Sequence, residues 1–347
     1  MTRKIAPALA LVTATILAAP AFAADPLVDD VIKQAQASAQ TAPTPTLTLD
    51  QAAAPASPEG FKWFADPNTK GLPLPFHTIE GYGGGAITPI AYLVNNAGPN
   101  VAFGFPSVAV SYVNLGSKNL EAFTITDTLF GRVELGYGAD RFGVGGLRGA
   151  LVQATGKDIG SDVWLHNFNA RVAVLDENSF GQNWIPALTL GAHYKYNADI
   201  SRINSTLGNA LTGIGYRHSS GEDFTLTLSK TFPKVFGRPL IVSAGARESQ
   251  AAQLGILGFS NQWNTTFEGN IVYVPTDWLV VAYEFRQKNN PYNEIPGLVG
   301  GEDNWHAIDA SWIINKHSTL VAGWGNFGTL ANSSANDAFW LQFKFEF

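Results

Sequence analysis

From about residue 105 onward the chain alternates apolar and polar side chains with a period of two. In the last stretch Phe339, Leu341, Phe343, Phe345 and Phe347 fall on one face of a strand. Trp340, Gln342, Lys344 and Glu346 fall on the other. Leu188, Leu190, Ala192, Tyr194 and Tyr196 likewise oppose Thr189, Gly191, His193 and Lys195, and Phe267, Gly269, Ile271 and Tyr273 oppose Thr266, Glu268 and Asn270. The segments run for about ten residues, the length of a tilted strand crossing ~25–30 Å of hydrocarbon. The pattern predicts strands over 105–113, 119–127, 131–141, 162–175, 184–197, 223–231, 239–249, 264–274, 278–288, 304–314, 317–327 and 336–347. Pro186 would fall inside one of them, where a missing ladder donor predicts a bulge nearby.

The links between these segments alternate long and short, and only 114–118 is short where a long one is due. A soluble sandwich requires no such asymmetry. A membrane barrel does, with short periplasmic turns on one rim and longer external loops on the other. The expected fold is therefore all-β: a transmembrane antiparallel up-and-down β-barrel over 105–347, with about twelve strands and both ends periplasmic. Fourteen strands would follow if 77–94 formed two more.

The N-terminal part has a different character. Arg3 and Lys4, the apolar run Ile5–Ala18 and the small-x-small triplet Ala21-Phe22-Ala23 read as an export signal over 1–23, cleaved after Ala23. Residues 24–60, rich in Ala, Pro and Thr, read as a flexible periplasmic leader. Residues 61–104 are Gly-rich around Gly81–Pro89 and are expected to form a partial plug or extra strands. Gly81-x-Gly83-x-x-Ala86 formally fits a dinucleotide fingerprint, but Pro89 interrupts the helix it needs and the later acidic residue is absent. No cofactor is expected.

Composition narrows the function. Only 14% of the 347 residues are charged, and there is no Cys, which removes disulfides, thiolate metal sites and cysteine nucleophiles. Outside the first two dozen positions no run is long and apolar enough for a helical span. The formal charge is −6, and loss of Arg3 and Lys4 leaves 20 positive against 28 negative residues, a charge of −8, which argues against nucleic acid as a partner. Trp164, Trp184, Trp278 and Trp305 near strand starts, with Tyr194, Tyr196 and Tyr273 near strand ends, suit rings seated at membrane interfaces.

Terminal Phe347, with Leu341, Phe343 and Phe345 before it, resembles the signal by which the outer-membrane assembly machinery recognises barrel clients. Two further segments, Glu80-Gly81-Tyr82-Gly83-Gly84-Gly85-Ala86-Ile87-Thr88-Pro89 and Leu129-Phe130-Gly131-Arg132-Val133-Glu134-Leu135-Gly136-Tyr137 followed by Arg141-Phe142, resemble a proteobacterial family. It is the domain-of-unknown-function family 3034, and the resemblance covers roughly 75–347. It implies an outer-membrane barrel of a Gram-negative cell and supplies no site residues.

By the alternation, the positives facing the lumen are Arg132, Arg171, Lys195, Arg247, Arg286 and Lys344, and the negatives are Glu134, Asp140, Glu268, Glu284, Asp309 and Glu346, with His193 among them. Six against six predicts mutual pairing and weak charge selectivity. Glu222, Asp223, Glu294, Glu302 and Asp303 are assigned to external loops that would mildly favour cations. No Gly-x-Ser-x-Gly elbow, His-x-x-x-His pair or calcium loop is present, so no catalytic or metal residue is assigned. The leading expectation is a passive channel for small solutes in the outer membrane, with membrane lipid and the assembly machinery as its other partners. A closed barrel that binds through its external loops is the alternative, and a lipid-active enzyme is third.

Overall fold

The computed structural model describes residues 60–66, 70 and 76–347; the expected export signal and nearly all of the leader lie outside the described residues. Twelve long strands follow one another: β1 (Ser107–Asn114), β2 (Asn119–Leu129), β3 (Val133–Gly143), β4 (Asp162–Leu175), β5 (Ala187–Asn197) and β6 (Ser220–Val235) form the first half. The second half is β7 (Arg238–Ala251), β8 (Phe259–Tyr273), β9 (Leu279–Arg286), β10 (Trp305–Asn315), β11 (Ser318–Asn326) and β12 (Ala338–Glu346). Each pairs antiparallel with the next, and β12 returns to β1 with Phe343 opposite Val110, so the twelve strands close on themselves. It is a twelve-stranded transmembrane barrel.

The reason is the parity of the side chains. On β8, Phe267 is 60% exposed and Ile271 is also exposed, while Glu268 and Asn270 between them are buried. On β12, Phe339, Leu341 and Phe343 face out while Trp340, Gln342 and Lys344 face in. Polar residues thus turn away from the exterior and apolar ones toward it, the inverse of a soluble sheet. Trp164, Tyr194 and Tyr196 lie exposed toward one rim, and Trp184 and Trp278 toward the other. Trp305 departs from that expectation: it shares parity with Ala307 and Asp309 and is buried inside.

All twelve expected strands are present. Several are longer than the hydropathy pattern indicated, because their ends continue past the apolar band: β6 starts at Ser220 and β8 at Phe259. Pro186 precedes β5 rather than lying within it, and the register with β4 slips between Ala173 and Leu175. One rim carries the turns 130–132, 236–237 and 316–317. The other carries the links 144–161, with helix α1 (Gly146–Thr155), and 198–219, with α2 (Ile200–Thr206) and α3 (Ala210–Ile214). These are called the turn rim and the loop rim below. Among the described residues no helix is long and apolar enough to cross a membrane.

The interior is layered. Near the turn rim Phe76, Ile90, Val272, Val280, Ile313 and Val321 form one apolar cluster. Near the loop rim a larger one includes Ile79, Ile87, Leu120, Phe142, Trp305 and Trp340, and it extends up into α1–α3. A charged layer lies between them.

Candidate functional site

The barrel is filled by its own N-terminal segment. Residues 76–91 are all buried, and Phe76–His77 pairs antiparallel with Gly83–Gly84 in a tight double-back. This plug has no long regular element, so its backbone groups turn to inward side chains of the wall, as buried amides and carbonyls must. Asn169 donates to the Glu80 carbonyl at 2.6 Å. Arg171 donates to the Gly83 carbonyl at 2.5 Å and to that of Ile90. Glu134 accepts from the Gly83 and Val94 amides at 3.1 and 2.8 Å and pairs with Arg171 at 3.1 Å.

Two glycine positions make the approach feasible. A Cβ on Gly136 of β3 would stand 2.0 Å from the Gly81 carbonyl oxygen, so the plug backbone rests where a side chain would otherwise be. A Cβ on Gly85 would stand 2.4 Å from a Glu284 oxygen. There the chain curls around the Glu284 carboxylate, which accepts from the Ala86 amide at 2.7 Å, the Ile87 amide at 3.2 Å and the Thr88 amide at 2.8 Å. The Thr88 hydroxyl adds a fourth bond at 2.5 Å. Successive amides converging on an anion form a nest, and here the anion is part of the wall.

The centre of the charged layer is built around Glu80. Its carboxylate pairs with Lys195, pairs with Arg286 at 2.7 Å and accepts from the Tyr82 hydroxyl at 2.7 Å. Arg247 pairs with Asp223 at 2.9 Å and Glu268 at 3.0 Å and donates to the Tyr82 oxygen at 2.8 Å. Lys195 also meets Asp223 at 2.8 Å. In this cluster the wall brings three cations (Lys195, Arg247, Arg286) and two anions (Asp223, Glu268). The plug supplies the third anion, Glu80.

Of the residues assigned to the lumen from sequence, Glu134, Asp140, Arg171, His193, Lys195, Arg247, Glu268, Glu284, Arg286, Asp309, Lys344 and Glu346 are buried inside. Asp140 accepts from Asn167 at 2.8 Å, and Asp309 on β10 reaches Glu284. Lys344 and Glu346 pair at 2.5 Å near the turn rim, where Lys70 also meets Glu346 at 2.7 Å. His193 bonds Asn169 at 2.8 Å and Thr225 at 3.0 Å and packs against Tyr82.

Arg132 does not line the lumen. It sits in the 130–132 turn, 47% exposed, in an ion pair of 2.5 Å with Asp176, because β3 and its in–out alternation begin only at Val133. Glu222 and Asp223 are likewise not in an external loop, because β6 starts at Ser220; three residues past that start, Asp223 has inward parity. Glu302 does lie in the loop-rim link 287–304, paired there with Lys288 at 2.9 Å. Glu80 and Tyr82 were not foreseen as site residues. The available signal was Gly136 and Gly138 at consecutive inward positions, which leave a trough in the wall. Among the described residues no cluster of three or more His, Asp or Glu is disposed to hold a metal ion.

Strand order, closure and side-chain parity together define a transmembrane β-barrel occluded by a segment of its own chain. The chain belongs to the family described as "Protein of unknown function (DUF3034)", whose model matches residues 75–344, so plug and barrel both fall within it. No curated protein matches the sequence. Among solved structures, the KdgM porin is 10% identical with a TM-score of 0.42, covering 70% of this chain and 99% of that one. The NanC porin is 9% identical with a TM-score of 0.42, covering 70% and 98%. The outer membrane phospholipase A from Escherichia coli is 10% identical with a TM-score of 0.34, covering 70% and 95%.

Proposed function

We propose that the protein is an outer-membrane conduit for small solutes, held shut by residues 76–94. The observation that carries this is the division of charge: the wall cluster balances only when Glu80 of the plug is seated among Lys195, Arg247 and Arg286. Buried charges held by a removable partner favour a stopper that seats in one place and rehydrates the lumen on leaving. With the plug withdrawn, the wall presents Arg171, Lys195, Arg247, Arg286 and Lys344 against Glu134, Asp140, Asp223, Glu268, Glu284, Asp309 and Glu346. That excess of carboxylates favours cations mildly.

The test is single-channel recording in planar bilayers of the full chain and of a variant lacking residues 61–104. A silent parent and a conducting, weakly cation-preferring variant are expected. A folded variant that stays silent refutes it.

The loop rim supports a second reading, a closed barrel that binds a partner. Helices α1–α3 give that rim a structured surface, and exchanging links 144–161 and 198–219 would abolish such a contact without any conductance. The histidine rings bond Thr124 (His77), Tyr137 (His166), Asn169 and Thr225 (His193), Asn261 (His218), Tyr283 (His306) and the Glu346 carbonyl (His317), which is an arrangement of structural polar contacts.

A further inference from the structure

Between the loop-rim helices and the plug lies a space unlike the charged layer beneath it. Its upper part is a cavity of about 80 Å³ walled by Leu147 and Leu151 of α1, Ile203 of α2, Leu211 of α3, and Leu257 and Leu298 of two links. Its lower part, about 40 Å³, lies against Ile79 and Ile87 of the plug, Val113, Leu120, Trp305 and Trp340. Phe142 and Ile256 line both, so the two adjoin as a column of neighbouring cavities between the cap and the plug. In all that lining the polar groups are the Thr155 hydroxyl, the Gln253 amide and the indole N–H groups of Trp305 and Trp340, and no ionisable residue takes part.

Protein interiors are packed densely enough that voids larger than a water are few. A water needs roughly 10–15 Å³ of such volume and two or more polar partners, whereas an apolar cavity stays dry and takes apolar guests. The column is several waters in size and offers almost no partners. Its lower part rests on the plug: Ile79 precedes Glu80, and the Ile87 amide is one of the three holding Glu284.

We infer that the upper cavity of this column is a binding site for a neutral, hydrocarbon-like molecule of roughly half a dozen carbons, a short alkyl chain or a single aromatic ring, with the lower cavity lying between it and Ile79 and Ile87 of the plug. Charged and sugar-like solutes are excluded, because they would lose hydration with nothing to replace it. The inference rests on the conduit reading for the solute's onward route, but the occupancy of the site does not.

The test is photolabelling of the full-length protein in detergent with a six-carbon aliphatic diazirine, mapped by mass spectrometry. Saturable labelling is expected on the peptides carrying Leu147–Leu151 and Ile256–Leu257, reduced at least tenfold by excess n-hexane. A diazirine of equal size bearing a carboxylate should not label them. Ile203→Trp, and separately Leu151→Phe, fill the upper cavity and should remove that labelling while leaving it on the lipid-facing peptide carrying Phe267. Heat-modifiable gel mobility reports that each variant is folded. Labelling confined to lipid-facing peptides, or chamber labelling that n-hexane does not displace in the parent, overturns the site. Current is not read here, so a silent plug-deleted channel with a saturable chamber would refute the conduit alone.

Discussion

Glu80→Ala is the sharpest perturbation of the seated plug. In the parent, the carboxylate is buried (0% exposed) with Lys195, with Arg286 at 2.7 Å and with the Tyr82 hydroxyl at 2.7 Å. Its removal leaves Lys195, Arg247 and Arg286 facing only Asp223 and Glu268, with no more than a cavity of about 30 Å³ beside them for water. Breaking one partner out of a buried ionic cluster costs about 3–5 kcal/mol, because the surviving charge stays desolvated. That cost falls on the plugged state alone, since withdrawal lets water reach the wall. At about 1.4 kcal/mol per decade, the ratio of open to closed forms should rise by roughly two to three and a half decades. The assay is open probability in planar bilayers at fixed voltage and salt. A second variant, Glu80→Ala with Lys195→Ala, restores the local balance and should bring open probability down at least tenfold from the single variant. If Glu80→Ala folds, shown by heat-modifiable mobility, yet stays as silent as the parent, the plug is not held by its charge. If the double variant opens as often as the single one, charge balance is not the reason.

Three other outcomes are expected. Gly136→Val puts a side chain where the Gly81 carbonyl lies, 2.0 Å from the position of a Cβ; it should unseat the plug and expose residues 76–94 to protease with the barrel intact, and unchanged protection would count against the trough. Phe267→Arg places a cation on the outer face at a position 60% exposed; folding into vesicles should weaken by about 2–4 kcal/mol if the site lies near the bilayer midplane, whereas a neutral result would place it outside the hydrocarbon. Burial lowers the Lys118 ammonium, in the 115–118 link where it bonds Asn332 at 2.9 Å and Ser333, to about 8. Its folded pKa therefore lies below its unfolded value, so fewer protons are bound in the folded state between about pH 8 and 10.5, and stability of that contact rises with pH across the window. Titration of the ¹³C-methylated amine by NMR checks this, and a midpoint near 10.5 would contradict it.

The barrel was legible because lipid imposes a rule at every second residue. Phe339, Leu341 and Phe343 have no alternative but to face outward, and that fixes the parity of their whole strand. Parity also located the interior charges, including Arg247 and Glu268, which meet across adjacent strands at 3.0 Å. It failed at ends, where the rule lapses: Arg132 lies just past the apolar band, and Asp223 sits on a polar strand start that looked like loop. The partners of the Gly-rich segment were illegible in another way. Its contacts have no period, and Thr88 finds Glu284 at a separation of 196 residues. Only complementary absences, the inward glycines of β3 opposite a Gly-rich stretch, hinted at a backbone lying against the wall.

The ends of the occluding segment share a mouth. Lys70 is tied to Glu346 at the last residue of β12, and Asn95 to the Ser107 hydroxyl and the Phe105 carbonyl at the first of β1. The chain therefore goes in and comes back as a doubled cord, not as a thread drawn through a bead. Nothing has to be passed lengthwise through the cylinder to seat or unseat it.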